Sequence, residues 1–268
     1  MNYQQLINYL CEYQNYILNF SGLSHYSKKS YINDLKQFRI FLSEHSSAAD
    51  IENFSHLLLD YFQVLEYVKH LKSATIKRKF IVLHKFFNYL EQNQLLCPNP
   101  FHLFSYKLPR EKHLPKVLQK QDLLCLITTI QERIPLLSPY YALIATRDLA
   151  IIDLLICTGM RIGEITKLRL HDYNQSTNTL LINGKGEKER ILYISSSDVV
   201  NELSKWLCVR SGLNPKCDSL FINKYGNTFS IYGIENIFYK YRKFSGIDTH
   251  STPHYLRHTF ASADTFAA

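Results

Sequence analysis

Apolar residues return at intervals of three and four through the first 95 positions, the period of amphipathic helices. Residues 3–20 set Tyr, Leu, Ile and Phe among polar residues in this way, and Ser21-Gly22-Leu23-Ser24 breaks the pattern. A second helix beginning near Ser27 carries Tyr31, Leu35, Phe38 and Leu42 as one stripe. A polar loop from Ser43 to Asp50 leads to a third helix over about 56–71 and a fourth over about 74–95. The stripe Phe80, Leu83, Phe87 and Leu90 predicts core, and most tyrosines of this half are expected to pack with it.

Cys97-Pro98-Asn99-Pro100-Phe101 ends the periodic region. The stretch that follows has no period and is basic, with Lys107, Arg110, Lys112 and Lys116 punctuated by Pro109 and Pro115. Residues 98–116 therefore read as an interdomain linker, with a first domain over 1–111 and a second over 112–268. In the second, helices are predicted from Leu118 to Ile130, over Thr146–Cys157, over 198–209 and over 230–245, with Trp206 in the core. Gly159 suits a left-handed helix terminus. Ile162, Ile165 and Leu168 recur every three residues. Residues 180–182 and 190–194 read as two strands around the hairpin Asn183–Glu189, and a third short strand is expected near 219–222. The fold class is mainly α with a small β-sheet or hairpin: a helical bundle followed by an α+β domain.

Composition narrows the picture. The 268 residues are 46% hydrophobic and 20% charged, a globular balance, and carry a net charge of +8. Each half contributes equally to that excess, with twelve Lys and Arg against eight Asp and Glu in 1–110, and nineteen against fifteen in 111–268. Two basic domains suit a polyanionic partner gripped from two sides. The six cysteines include no CxxC pair and no metal-ligand spacing, so they read as reduced thiols of a cytoplasmic protein. No signal segment and no apolar run of membrane-spanning length is visible.

Three stretches carry candidate chemistry. Lys77, Arg78 and Lys79 lie in the first turns of the fourth helix, where cations oppose the helix dipole, so phosphate contact or a solvated face must account for them. Arg161 and Glu164 are three apart, where a carboxylate can orient a guanidinium. In Thr252-Pro253-His254-Tyr255-Leu256-Arg257-His258-Thr259-Phe260-Ala261, proline suits a first helical turn and His254 and Arg257 share a face. An imidazole beside a guanidinium suits an anionic ligand such as a phosphate, although two solvated polar residues on a capped helix read equally well.

Thr158-Gly-Met-Arg161-Ile-Gly-Glu164, Gly184-Lys185-Gly186-Glu-Lys-Glu-Arg190 and His254-Tyr-Leu-Arg257-His258-Thr-Phe-Ala261 together resemble, in order and spacing, the tyrosine recombinases and integrases of the bacterial Xer type. The resemblance covers nearly the whole chain. It implies a SAM-like core-binding domain followed by a catalytic domain that cuts and rejoins duplex DNA through a 3′-phosphotyrosyl intermediate, without cofactor or metal. Arg161 and Arg257 would hold the scissile phosphate, Glu164 would support Arg161, Lys185 would be the general acid with Lys188 as the alternative, and His254 would move a proton and touch the phosphate. His258 would cap or pack nearby. Lys77, Arg78, Lys79, Lys107 and Arg110 are the DNA-contact candidates, and other recombinase subunits are expected partners on DNA. The family's nucleophilic tyrosine lies on a helix beyond this last motif. Here the sequence runs only eleven residues past Arg257, and neither Tyr239, Tyr241 nor Tyr255 stands in its place. The expectation is a recombinase-type chain, incomplete at the C-terminal end and defective in cleavage. A non-catalytic DNA-binding protein and the remnant of an interrupted gene are alternatives; a type IB topoisomerase is a distant one.

Overall fold

In a computed structural model, which describes residues 1–45, 53–102, 104, 106, 117–184 and 189–263, the chain divides into two compact units, Met1–His113 and Leu114–Ala268. Four helices make up most of the first: α1 (Tyr3–Asn19), α2 (His25–Glu44), α3 (Phe54–Gln63) and α4 (Ser73–Gln92). Each start is set locally. Asn2 and Gln5 exchange side-chain bonds with each other's backbone N–H at 2.8 and 3.0 Å, closing a capping box on α1. The Asn53 side chain accepts from the N–H groups of Ser55 and His56 at the start of α3. The third helix is shorter than its apolar pattern predicts, because α3 passes at Gln63 into a π-helical turn, Val64–Val68.

The predicted stripes face inward. Leu35, Phe38 and Leu42 of α2 and Leu83, Phe87 and Leu90 of α4 are buried, and Tyr31 and Phe80 flank them half-buried. Truncating any of the buried ones to alanine costs about 2–5 kcal/mol.

The second unit is built on α6 (Pro139–Thr158), a buried helix that starts two turns before the segment its sequence marks, with Pro139 in the first turn. Around it lie α5 (Lys120–Arg133), the one-turn α7 (Ile162–Ile165), α8 (Ser197–Val209), α9 (Ile231–Ser245) and α10 (Pro253–Ala263). Strands β1 (Tyr173–Asn174), β2 (Thr179–Asn183) and β3 (Glu189–Tyr193) form an antiparallel sheet in that order, with Asn183 opposite Glu189 at the hairpin end. The strand expected near 219–222 does not form beyond two isolated bridges, Arg169 with Ser219 and Ile222 with Thr228. Side chains hold that segment instead. The Trp206 indole donates to the Leu220 carbonyl at 2.9 Å, and Arg210 donates to the carbonyls of Cys217 and Ser219. Among the described residues no helix is long and apolar enough to cross a membrane.

Candidate active site

Gly159 terminates α6 with φ of +57°, a conformation that strains any residue with a Cβ. The chain then turns through Met160, which is buried, into Arg161. Arg161 does not sit within a helix turn but caps α7 from outside. Its backbone N–H donates to Glu164 Oε2 at 2.8 Å, and its Nη1 donates to Oε1 at 3.1 Å. Ile162 and Ile165 are buried and anchor this turn to the core. The Arg161 side chain is 60% exposed while Glu164 is 8% exposed, so a buried carboxylate aims a guanidinium that reaches solvent.

Arg190 of β3 completes the arrangement. Its Nη1 and Nη2 donate to the two Glu164 oxygens at 3.1 and 2.8 Å, a bidentate pair that ties the hairpin to α7. Burial alone raises the Glu164 carboxyl, but the Arg190 guanidinium and the Arg161 N–H outweigh it and hold the group at about 2. Glu164 is therefore an anion at neutral pH, bridging two arginines. Sequence reading missed Arg190; the available signal was a cation at the foot of a charged hairpin.

The other half of the site comes from α10. Leu256 is buried against the core, and Arg257 Nη1 donates to the Gly159 carbonyl at 2.5 Å, two residues from Arg161. Phe260 packs over the same glycine so closely that a Cβ at position 159 would lie 2.3 Å from its ring. The Thr259 hydroxyl accepts from the Leu118 N–H at 2.9 Å and donates to the Tyr255 carbonyl. The structure thus brings Arg161, Glu164, Arg190 and Arg257 around one turn. His254, one turn before Arg257, and His258 are exposed on α10. Lys185 and Lys188 of the hairpin lie outside the described residues, as do Lys107 and Arg110.

The tyrosines near this motif are engaged in packing. Tyr241 is 1% exposed, and its hydroxyl donates to Asp148 Oδ2 at 3.1 Å. Burial and that carboxylate push the phenol far above its ordinary range. Tyr239 and Tyr255 are half-buried against the core, Tyr239 with the Arg242 guanidinium 4.9 Å from its ring centre.

In the first unit the basic run of α4 divides. Lys77 is exposed and Arg78 half-buried, with its guanidinium 2.8 Å from Asp34. Lys79 overturns the expectation of a phosphate contact. It is 2% exposed, and its ammonium donates to Asp34 Oδ1 at 2.8 Å and to Gln37 Oε1 at 2.6 Å. Asp34 is equally buried, and an isolated carboxylate there is costly, so Lys79 serves α2 rather than solvent.

A mainly helical chain of two units, the second setting an exposed arginine on a buried glutamate beside another arginine, has the layout of a family already characterised. Residues 116–263 match the phage integrase family and residues 10–94 the phage integrase N-terminal SAM-like domain, and the chain belongs to this family of tyrosine recombinases. It is 32% identical over 259 residues to a tyrosine recombinase of Agathobacter rectalis, covering 96% of this chain and 83% of that protein. The tyrosine recombinase XerC of Syntrophus aciditrophicus is 29% identical over 265 residues, with 94% and 82% covered. Among solved structures, the XerH site-specific recombinase bound to its difH substrate in a pre-cleavage complex is 25% identical with a TM-score of 0.71, over 90% of this chain and 68% of that one. A lambda integrase dimer bound to a COC′ core site shares the fold, with a TM-score of 0.73 at 18% identity over 98% and 89% of the two chains.

Proposed function

We propose that this chain is a site-specific recombinase-type protein that binds duplex DNA and holds one backbone phosphate between Arg161 and Arg257. The observation that carries this reading is the Glu164 carboxylate, buried and shared by Arg161 and Arg190, with Arg257 fixed two residues away on Gly159. Two guanidiniums positioned in advance match the charge that gathers on the non-bridging oxygens as a phosphodiester is displaced. In that reaction a tyrosine oxygen bonds to phosphorus, the bond to the 5′-oxygen breaks, and the leaving oxygen takes a proton. We assign that proton to Lys185, with Lys188 as the alternative, and assign proton transfer and phosphate contact to His254, with His258 in support. Residues 1–111 are assigned as the core-binding domain and 112–268 as the catalytic domain, joined by the basic linker 98–116. Lys77, Lys107 and Arg110 are assigned to the DNA backbone, and Arg78 can add to them through its exposed part. The DNA-bound complexes of XerH and lambda integrase favour a duplex partner and assembly of several subunits on it. Six free cysteines agree with a reducing, cytoplasmic setting.

Because Tyr239, Tyr241 and Tyr255 are committed to packing, the nucleophile is not assigned to any of them, and the isolated chain is proposed to bind without cutting. The test is a nicked duplex carrying a candidate recombination site, incubated with purified protein and run on a denaturing gel. Salt-dependent binding without a covalent adduct is the expected result. An adduct formed by the purified chain would refute the cleavage-defective assignment, and absence of duplex binding would refute the DNA assignment. Arg161→Ala with Arg257→Ala should weaken binding only a few-fold, since most phosphate contacts lie elsewhere.

A further inference from the structure

The second unit contains a cavity of about 590 Å³ bounded by α5, α6 and α8, and none of its lining residues belongs to the arginine site. Its walls include the apolar side chains Leu124, Ile127, Ile156 and Val199. Against these stand three carboxylates. Asp153 of α6 is 6% exposed, lines the cavity and has no hydrogen bond or ion pair among the described residues. Glu202 of α8 is 9% exposed and is held by Lys205 at 2.8 Å. Asp198, in the first turn of α8, is exposed at the rim. Three carboxylates thus share one ammonium.

A buried carboxylate without a partner is costly, and two carboxylates nearby make it more so. Burial, then Glu202 and Asp198, push the Asp153 carboxyl up to about 7. Among the described residues no other charge faces it: the α5 residues lining the cavity are apolar or neutral, Lys205 is bonded to Glu202, and burial pushes the Cys157 thiol up, keeping it neutral. The space before Asp153 therefore asks for a cation. A single metal ion does not answer it, because no three His, Cys, Asp or Glu side chains among the described residues converge closely enough to hold one. An inner carboxylate, an outer carboxylate and hydrocarbon walls call for charge at two ends of a methylene chain.

We propose that this cavity binds an aliphatic diamine or polyamine, with one ammonium on Asp153, the methylene chain along Leu124, Ile127, Ile156 and Val199, and a second ammonium at Asp198. This inference is independent of the arginine site, and its test contains no DNA, so amine binding to the duplex cannot enter the readout. Purified full-length chain is titrated with 1,4-diaminobutane by calorimetry and thermal melting, against 1-aminobutane and magnesium chloride at matched ionic strength. Saturable uptake of one diamine per chain is expected, with the melting midpoint raised by about 3–5 °C at about ten times Kd. Affinity at pH 6 should be about tenfold weaker than at pH 8, because the protonated Asp153 does not attract an ammonium. Asp153→Asn should abolish uptake while melting no lower than wild type, since it removes an unpaired buried charge. Asp198→Asn, at an exposed position, should weaken uptake several-fold and serves as the second variant if Asp153→Asn does not fold. Failure of wild type to saturate, undiminished uptake by either variant, or equal stabilisation by magnesium or the monoamine would overturn the proposal.

Discussion

Replacing Glu164 by glutamine keeps the side chain's shape and one carbonyl oxygen but removes the charge that two arginines share. A carboxyl held at about 2 in place of the ordinary 4.5 corresponds to about 3 kcal/mol of stability at neutral pH. The Arg161 and Arg190 side chains are 60% and 37% exposed, so solvent screens part of that, and about 2 kcal/mol is the expected loss. For a unit of this size the melting midpoint falls by about 4–8 °C. The sign with pH follows from the depressed value. The contribution is essentially complete well above pH 4.5, shrinks as pH falls from there, and is gone only below about 2, where wild-type Glu164 becomes as neutral as the glutamine. Urea unfolding of both proteins at pH 7, 5, 4 and 3 measures the gap directly. It should hold between pH 7 and 5 and fall below half by pH 3. A gap that stays constant across this range would mean that the contribution is packing or hydrogen bonding alone. No gap at pH 7 would mean that Arg190 and Arg161 are equally well solvated without their anion, and the buried bridge would lose its role in aiming Arg161.

Gly159→Ala is expected to cost about 2–4 kcal/mol by chemical denaturation, from the positive φ and from collision with Phe260. The double variant with Phe260→Ala should recover the collision part only, and a loss below 1 kcal/mol in the single variant would contradict the packing described. Lys79→Ala should destabilise the first unit by about 2–4 kcal/mol, because buried Asp34 keeps only Arg78, itself 39% exposed, as a counter-charge. Lys77→Ala should leave stability unchanged and, in salt titrations of duplex binding, reduce the slope by about one. The reverse pattern in these two lysines would refute their division between core and surface.

The helices were legible because their apolar stripes repeat locally. Leu35, Phe38 and Leu42, or Leu83, Phe87 and Leu90, need only the period of the helix to declare their face. The family, too, was readable from three short motifs. What escaped was every interaction that joins distant positions. A basic run such as Lys77-Arg78-Lys79 looks like one surface feature, yet Lys79 answers to Asp34, 45 residues earlier. The available sign was Asp34 itself, a charge set beside Leu35 on the stripe of α2 and so in need of a counter-charge. Arg190 reaches Glu164 across 26 residues and a hairpin, which no periodicity reports. Even the Arg161–Glu164 pair, correctly spaced for one helix face, works differently: Arg161 caps the turn from outside through its backbone N–H. The segment 219–222 failed as a strand because Trp206 and Arg210 claim its carbonyls, an outcome of tertiary packing rather than β-propensity.

The bond from Arg257 to the Gly159 carbonyl spans 98 residues. Contacts of that reach form only after the intervening chain has found its place, since the loop entropy must be overcome before the contact rewards it. During synthesis, α5 to α8 can collapse around α6 while α10 is still within the ribosome. The chain made by then is already basic through its first half, with twelve Lys and Arg against eight Asp and Glu in residues 1–110, and it can drift along nucleic acid through charge alone. It has no paired guanidiniums to seize a phosphate. The timing separates electrostatic attraction, present early, from the strand-engaging geometry, which appears only when the last described helix docks.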